Sequence, residues 1–596
     1  VVREFAQPAV YTVPDGADLT DMVWSAADEV PEKVTFRRPS GSGWADVTAA
    51  QFRSEVIGVA KGLIASGVQP GDRIGLMART RYEWTLVDYA IWSAGAVTVP
   101  IYETSSAEQV QWILGDSGAV GVVVESSGHQ SLVESVRSDL PDLRRIWQID
   151  ADAVGLLTAD GASVDDAQIE ERRAALGPAD TATIIYTSGT TGRPKGCVLT
   201  HKNLLFEVGN AIPSLPSMFR EGASTLLFLP LAHAFARLIQ LGAVYSRVTL
   251  GHAPDIKNLM GDLQEFRPTF VLAVPRVFEK VYNGAKQKAH AEGKGAIFDR
   301  ADRVAVAYSE SLDSGGPGLL LKAQHALFDK LVYGKLRGAL GGACTHAISG
   351  GAPLGARLAH FFRGIGLWVS EGYGLTETSP ATAANVDNAV KLGTVGRPLP
   401  GMTVRIADDG EVLIAGDHVF AEYWHNPEAT AVALKDGFFH TGDLGALDDD
   451  GFLTITGRKK ELIVTAAGKN VAPAVLEDRI RAHALVSQAM VVGDGKPFIG
   501  CVVTIDPDAF GPWKAKHDKP ADATVGDLAN DPDLRSEIQA AVDDANQAVS
   551  RAEAVKVFRI LPRDFTEETG ELTPSLKLKR AVVEKEYADE IAAIYT

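Results

Sequence analysis

The stretch YTSGTTGRPKG, residues 186–196, places three glycines, four Ser/Thr hydroxyls and two cations within eleven positions. Gly189 and Gly192 allow turns in which consecutive backbone N–H groups point inward. The hydroxyls of Thr187, Ser188, Thr190 and Thr191 and the ammonium of Lys195 add further donors, so the chemistry expected is the binding of a polyphosphate. The lysine is followed by Gly196, not by Ser or Thr, and the G-x-x-x-x-G-K-[ST] pattern fails. TATIIY before the loop reads as a buried strand and GCVLT after it as another, with a helix starting only near His201 behind a Thr200 cap. In a kinase-type loop the helix begins at the lysine and aims its dipole at the phosphates. Here the loop must supply the donors itself; a plain surface turn between two strands is the competing reading.

Four further segments follow in order: EGYGLTET (371–378), HTGDLG (440–445), GRKKELIVTAAGKNVAP (457–473) and LTPSLKLKR (572–580). Together with the loop they resemble the motif series of the adenylate-forming (AMP-binding) superfamily, which holds acyl-CoA synthetases, luciferases and peptide-synthetase adenylation domains. The resemblance spans residues 180 to 580 or so. It implies that Tyr373 stacks on adenine, that Thr376 bonds the α-phosphate, and that Glu377 with Thr187 holds Mg²⁺, a hard cation that takes oxygen ligands. Asp443 would grip the two ribose hydroxyls, Arg458 would contact ribose and phosphate, and Gly351 and Ala352 in ISGGAPL would pass beside adenine and the acyl group. Lys577 would bridge the carboxylate and the α-phosphate, where a cation offsets developing charge. The family usually has Gly before that lysine; this chain has Leu576, and Lys579 offers a second cation.

The implied reaction has two steps. A carboxylate attacks the α-phosphorus of ATP, giving an acyl-adenylate and pyrophosphate; coenzyme A then takes the acyl group and AMP leaves. The resemblance places a hinge at Lys460, between a domain of residues 1–459 and a mobile one of 460–596, and gives Gly468 to the coenzyme A step. Two geometries for two steps are what such a hinge supplies. LPLAHAFARL (229–238) and VPRVFEKV (274–281) are similar to the long-chain fatty acyl-CoA synthetase branch. The apolar run 226–243 would then wall an acyl site, with His233 or Phe235 at its mouth; ordinary core packing explains the same residues. A fatty acyl-AMP ligase that passes the acyl group to a carrier protein, and a silent nucleotide- or acyl-binding protein, are the alternatives. No extra segment of the kind such ligases carry stands out between 401 and 452.

These residues need elements to position them. In the first third, DRIGLMA, AVTVPIY and AVGVVVE read as strands, and RYEWTLVDYAIWSAG and SAEQVQWILGDSG as helices, the second capped by Ser106. Such alternation means a parallel sheet covered by helices, hence a doubly wound α/β domain. No G-x-G-x-x-G opens any of these helices, so no dinucleotide site is indicated. From Phe278 to Leu340 the pattern is helical and Lys-rich. After Gly393 short strands follow, with hairpin signals at Asp409-Gly410 and Asp450-Gly451, forming a β-rich subdomain. Beyond Lys460 a small α+β unit is expected.

With 596 residues the chain exceeds what a single core organises. A net charge of −18 argues against nucleic-acid binding. Three separated cysteines, Cys197, Cys344 and Cys501, suit a reducing cytoplasm and no disulfide framework. Pro230 and Arg237 interrupt the most apolar run, which excludes a spanning helix and leaves peripheral membrane contact open. Chain length, pathway and oligomeric state are not legible.

Overall fold

The computed structural model describes residues 3–41, 43–187, 193–573 and 576–596. The alternating runs of the first third form as expected. Strand Arg73–Met77 continues through helix Tyr82–Ser93 to strand Val97–Ile101, then through helix Ala107–Ser117 to strand Gly121–Val124. Both later strands pair in parallel with the first, one on each side, because each helical crossover returns the chain in the same direction. Ser106 caps its helix by a reciprocal box with Gln109. Strand Thr181–Thr187 joins beside Val97–Ile101, and Lys195–Thr200 pairs antiparallel with it. The 186–196 segment is thus the tip of a hairpin within a seven-stranded sheet.

A nine-stranded sheet stands against it. Its centre is parallel: Thr249–His252, Ser224–Leu227, Phe270–Ala273, His346–Ser349 and Trp368–Tyr373. One hydrophobic cluster spans elements of both sheets and includes Trp84, Trp92 and Phe270. The run 226–246 is a buried strand leading into helix Ala234–Ser246. Within that helix Arg237 is fully buried, paired to both oxygens of Asp88 at 2.6 and 2.7 Å, and it donates to Thr183 Oγ1 at 2.7 Å. Its guanidinium thereby ties this helix to helix Tyr82–Ser93 and to strand Thr181–Thr187. No helix among the described residues is long and apolar enough to cross a membrane.

Both Asp-Gly pairs turn hairpins. Gly410 and Gly451 adopt φ of 86° and 83°, the left-handed region glycine enters at no steric cost. The resulting sheet contains Thr403–Ile406, Glu411–Ala415, Phe438–Leu447 and Leu453–Arg458. Its outer edge was not expected: strand Glu4–Ala6 pairs with Thr403–Ile406, some four hundred residues away. Helix Pro473–Arg481 and strands Val486–Val492, Ile499–Ile505 and Val555–Ile560 pack around a hydrophobic cluster of their own.

Candidate active site

The hairpin holds the two ends of the loop in register, with Thr187 opposite Lys195. Ser188, Gly189, Thr190, Thr191 and Gly192 lie outside the described residues. The helix behind the hairpin begins at His201, and Thr200 Oγ1 accepts from the Asn203 N–H at 3.1 Å. A whole strand separates this helix N-terminus from the loop, so the helix does not aim its dipole at the loop as a kinase-type helix does.

Lys195 Nζ stands 4.7 Å from the centre of the Tyr423 ring, and Tyr423 Oη donates to Glu377 Oε1 at 2.7 Å. Tyr423 reaches this place because the short strand Glu422–Tyr423 pairs with Lys195–Thr200, Tyr423 opposite Cys197. The buried Cys197 thiol interacts with both Thr187 and Glu377; burial first, and then the Glu377 carboxylate, push its pKa well up. Thr187, Lys195 and Glu377 therefore converge. Glu377 sits on the single turn Thr376–Thr378, just past strand Trp368–Tyr373. That turn is held by Thr378 Oγ1, which accepts from Leu375 N–H at 3.0 Å, and by the Glu377 carbonyl, which accepts from Phe420 N–H at 2.7 Å. Thr376 is half-buried at its start.

A second group forms where that strand meets the β-rich sheet. Asp443 faces Arg458 across the Phe438–Leu447 hairpin, with Arg458 Nε 3.1 Å from Oδ1. Tyr373 Oη donates to Asp443 Oδ2 at 2.6 Å, and Thr441 Oγ1 accepts from the Asp443 N–H at 3.0 Å. Burial raises the Asp443 pKa, and Arg458, Tyr373 and Lys577 oppose that rise. Lys577 is an exposed residue, yet neighbouring protein partly desolvates its ammonium. That desolvation, and then the like charge of Arg458, draw its pKa below the usual lysine range, while Asp443, Glu377 and Glu461 pull it up. Leu576 adopts φ of 60°, the left-handed conformation in which glycine is at home. A leucine here costs about 1–2 kcal/mol of backbone strain. Of the two candidate cations, Lys577 joins the group around Asp443, whereas Lys579 is the N-cap of helix Arg580–Glu586.

In the apolar run, residues 226–244 are buried except Pro230, His233 and Phe235. His233 caps helix Ala234–Ser246 with Nδ1 accepting from Phe235 N–H at 3.3 Å. Burial, and then the charge of Lys577, hold its imidazole neutral, with a pKa of about 3. Phe235 packs on Gly350, where an added Cβ would lie 2.7 Å from the ring. Gly351, at φ 82°, and Ala352 follow on an exposed turn. His233, Asp443 and Glu377, from three parts of the chain, are thus all within electrostatic reach of Lys577, from a fourth.

Lys460 is exposed in the turn Lys459–Glu461, directly after Lys459, which pairs with Asp409 at 2.6 Å and Glu411 at 2.9 Å. Gly468, at φ 78°, lies on an exposed turn with open space around it. Three participants escaped the sequence reading. Tyr423 and Cys197 reach Glu377 through strand pairing, which leaves no local signal. Arg276, whose guanidinium bonds Asp506 at 2.5 Å, joins helix Pro275–Ala291 to the C-terminal unit.

Residues 23–424 match the AMP-binding enzyme family, and residues 460–596 match the AMP-binding enzyme C-terminal domain. The chain belongs to the AMP-binding enzymes. Among individual proteins, it is 56% identical to the long-chain-fatty-acid–CoA ligase FadD15 of Mycobacterium tuberculosis, over 100% of both chains. It is 32% identical to the peroxisomal long chain acyl-CoA synthetase 7 of Arabidopsis thaliana, over 92% of this chain and 81% of that one. The A-PCP didomain of the carboxylic acid reductase of Segniliparus rugosus, solved with AMP, shares the fold. Its TM-score is 0.75 at 20% identity, covering 98% of this chain and 83% of that one.

Proposed function

We propose that the chain is an AMP-forming long-chain fatty acid–CoA ligase. One observation carries the site assignment: Tyr373 and Arg458 both bond Asp443, at 2.6 and 3.1 Å, and Lys577 is within electrostatic reach of Asp443, Glu377 and His233. A cation so placed stands between the nucleotide end and the acyl end. The full-length likeness to FadD15 supports the choice of substrate class.

In this reading Tyr373 borders adenine while its hydroxyl fixes Asp443, whose carboxylate accepts from the ribose hydroxyls. Thr187, Lys195 and the loop donors bind the β- and γ-phosphates, and Thr376 the α-phosphate. Lys577 offsets charge as the fatty acid oxygen bonds to the α-phosphorus and the bond to pyrophosphate breaks. Neutral His233 and Phe235 border the acid. Glu377 and Thr187 would hold Mg²⁺, which neutralises phosphate charge when bound. No group of three His, Cys, Asp or Glu gathers among the described residues. A site with one carboxylate and one hydroxyl fits a cation that keeps waters and phosphate oxygens.

Rotation of residues 460–596 about Lys460 would then withdraw Lys577 and bring Gly468 to the site. There the coenzyme A thiol attacks the acyl carbonyl, the bond to AMP breaks, and the thiol proton passes to solvent. The enzyme is assigned to the cytoplasm. Because long-chain acids partition into lipid, we infer that it works in peripheral contact with a membrane.

Pyrophosphate release measured with and without coenzyme A, over acids from short to very long, tests this reading. Thioester formed only with coenzyme A and long acids is expected. Adenylate without thioester would make the protein an acyl-AMP ligase, and no pyrophosphate would make it a silent binder.

A further inference from the structure

Six of the fifteen large hydrophobic side chains exposed among the described residues fall between 297 and 331. This concentration singles out one element. Leu319 is 87% exposed and Leu320 75%, and Leu327 and Leu331 are about half exposed at 55% and 49%. All four lie on helix Leu319–Phe328 and its continuation through the wider turn Asp329–Tyr333. Leu320, Leu327 and Leu331 recur at spacings of seven and four, which places them along one stripe.

The inner side of this helix is firmly seated. Phe328 and Tyr333 are buried, and the His325 ring stacks on Tyr308 at 3.8 Å. Tyr333 Oη donates to the Ala301 carbonyl at 2.7 Å, and Arg337 bonds the Ile365 carbonyl at 2.6 Å. The leucines on the outer side are thus displayed on a fixed platform.

Charge along this segment is mostly of one sign. Between 314 and 340 the sole acidic residue is Asp329, and Arg337 pairs with it at 2.7 Å. Lys322, Lys330 and Lys335 are exposed and enter no ion pair among the described residues. A cationic patch on a chain of net charge −18 is a local exception. Exposed leucines beside lysines on a seated helix match an element lying in the boundary of an anionic bilayer. A second copy fits less well, since a two-fold contact would set lysines against lysines.

We propose that helix Leu319–Phe328 and its continuation dock the enzyme on an anionic lipid surface. Leu320, Leu327 and Leu331 enter the acyl boundary, and Lys322 and Lys330 meet lipid phosphates. The inference rests on the peripheral-membrane reading above and adds the surface that makes the contact.

The test is co-sedimentation of the full chain with vesicles of phosphatidylcholine alone and with about a third phosphatidylglycerol. The wild-type protein is expected to bind the anionic vesicles, and less so as salt rises. Leu320→Gln, Leu327→Gln and Leu331→Gln combined should weaken that binding roughly tenfold or more. Lys322→Glu with Lys330→Glu should remove the preference for anionic lipid. Both variants should keep the wild-type far-ultraviolet circular dichroism and thermal unfolding midpoint, which shows that they fold. Wild-type binding that neither variant alters would overturn this surface while leaving peripheral contact standing. Absence of vesicle binding by the wild type would overturn both. A dimer in sedimentation equilibrium that the leucine variant dissociates would assign the patch to a second copy instead.

Discussion

Lys577 is the residue with most to reveal, because its charge must survive where protein displaces water. Its pKa is lowered, so the cation is lost at a lower pH than for a free lysine. Adenylation should therefore fall on the alkaline side before an ordinary lysine would titrate. Thioester formation from supplied acyl-adenylate, which does not use Lys577, should lack that limb. Half-reaction rates against pH check this, and Lys577→Arg should move the limb out of range, since a guanidinium stays charged. The phosphate loop makes a second prediction. Thr187→Ala or Lys195→Ala should weaken ATP and pyrophosphate binding about tenfold or more while AMP affinity holds, because we assign the loop to the phosphates AMP lacks. Equal losses, measured by calorimetry, would move the loop to the α-phosphate or nucleoside. At this scale the sequence disclosed residues that form motifs and concealed those that act through pairing. Tyr423 sits in no recognisable motif, yet its hydroxyl orients Glu377.

At the scale of elements, periodicity and caps fixed much in advance. The helices around Trp84 and Trp112, the Thr200 cap and both Asp-Gly hairpins could be read from local sequence, since each is decided by neighbours within a few residues. Pairing between distant strands could not, because many partners satisfy the same hydrophobic pattern. The buried Arg237–Asp88 pair shows the difference. Arg237 reads as an interruption in an apolar run, and only the packing of two helices explains it. Removing one member leaves an uncompensated buried charge, so Asp88→Asn should destabilise the large domain by about 3–5 kcal/mol. Denaturant unfolding followed by tryptophan fluorescence, with Trp84 and Trp92 beside Arg237, reads this directly.

For the whole molecule, the prediction concerns alternation. Lys577 is within electrostatic reach of Asp443 and Glu377, and Gly468 lies on an exposed turn with open space around it. Lys577→Ala should abolish adenylate formation yet still convert supplied adenylate and coenzyme A to thioester. Gly468→Leu should do the reverse: it releases pyrophosphate but gives little thioester, because a bulky side chain meets the pantetheine path. The strain of a leucine at φ 78° falls on an exposed turn and leaves the first half-reaction alone. Loss of the same half-reaction in both variants would mean one fixed geometry serves both steps. The order of the motifs suggested a hinge at Lys460, but gave no sign of the Arg276–Asp506 contact, which joins two ordinary surface-type residues.

The edge strand Glu4–Ala6 has a consequence for how the protein is born. Its partner Thr403–Ile406 leaves the ribosome about four hundred residues later, and Gly451, whose missing side chain makes room for Phe5, later still. Synthesis proceeds from the N-terminus. The nascent chain must therefore carry this strand unpaired through most of translation, and the sheet bearing Asp443 cannot close until residues up to 458 have emerged. Nucleotide affinity should arise late and all at once, leaving every shorter nascent intermediate to the care of chaperones.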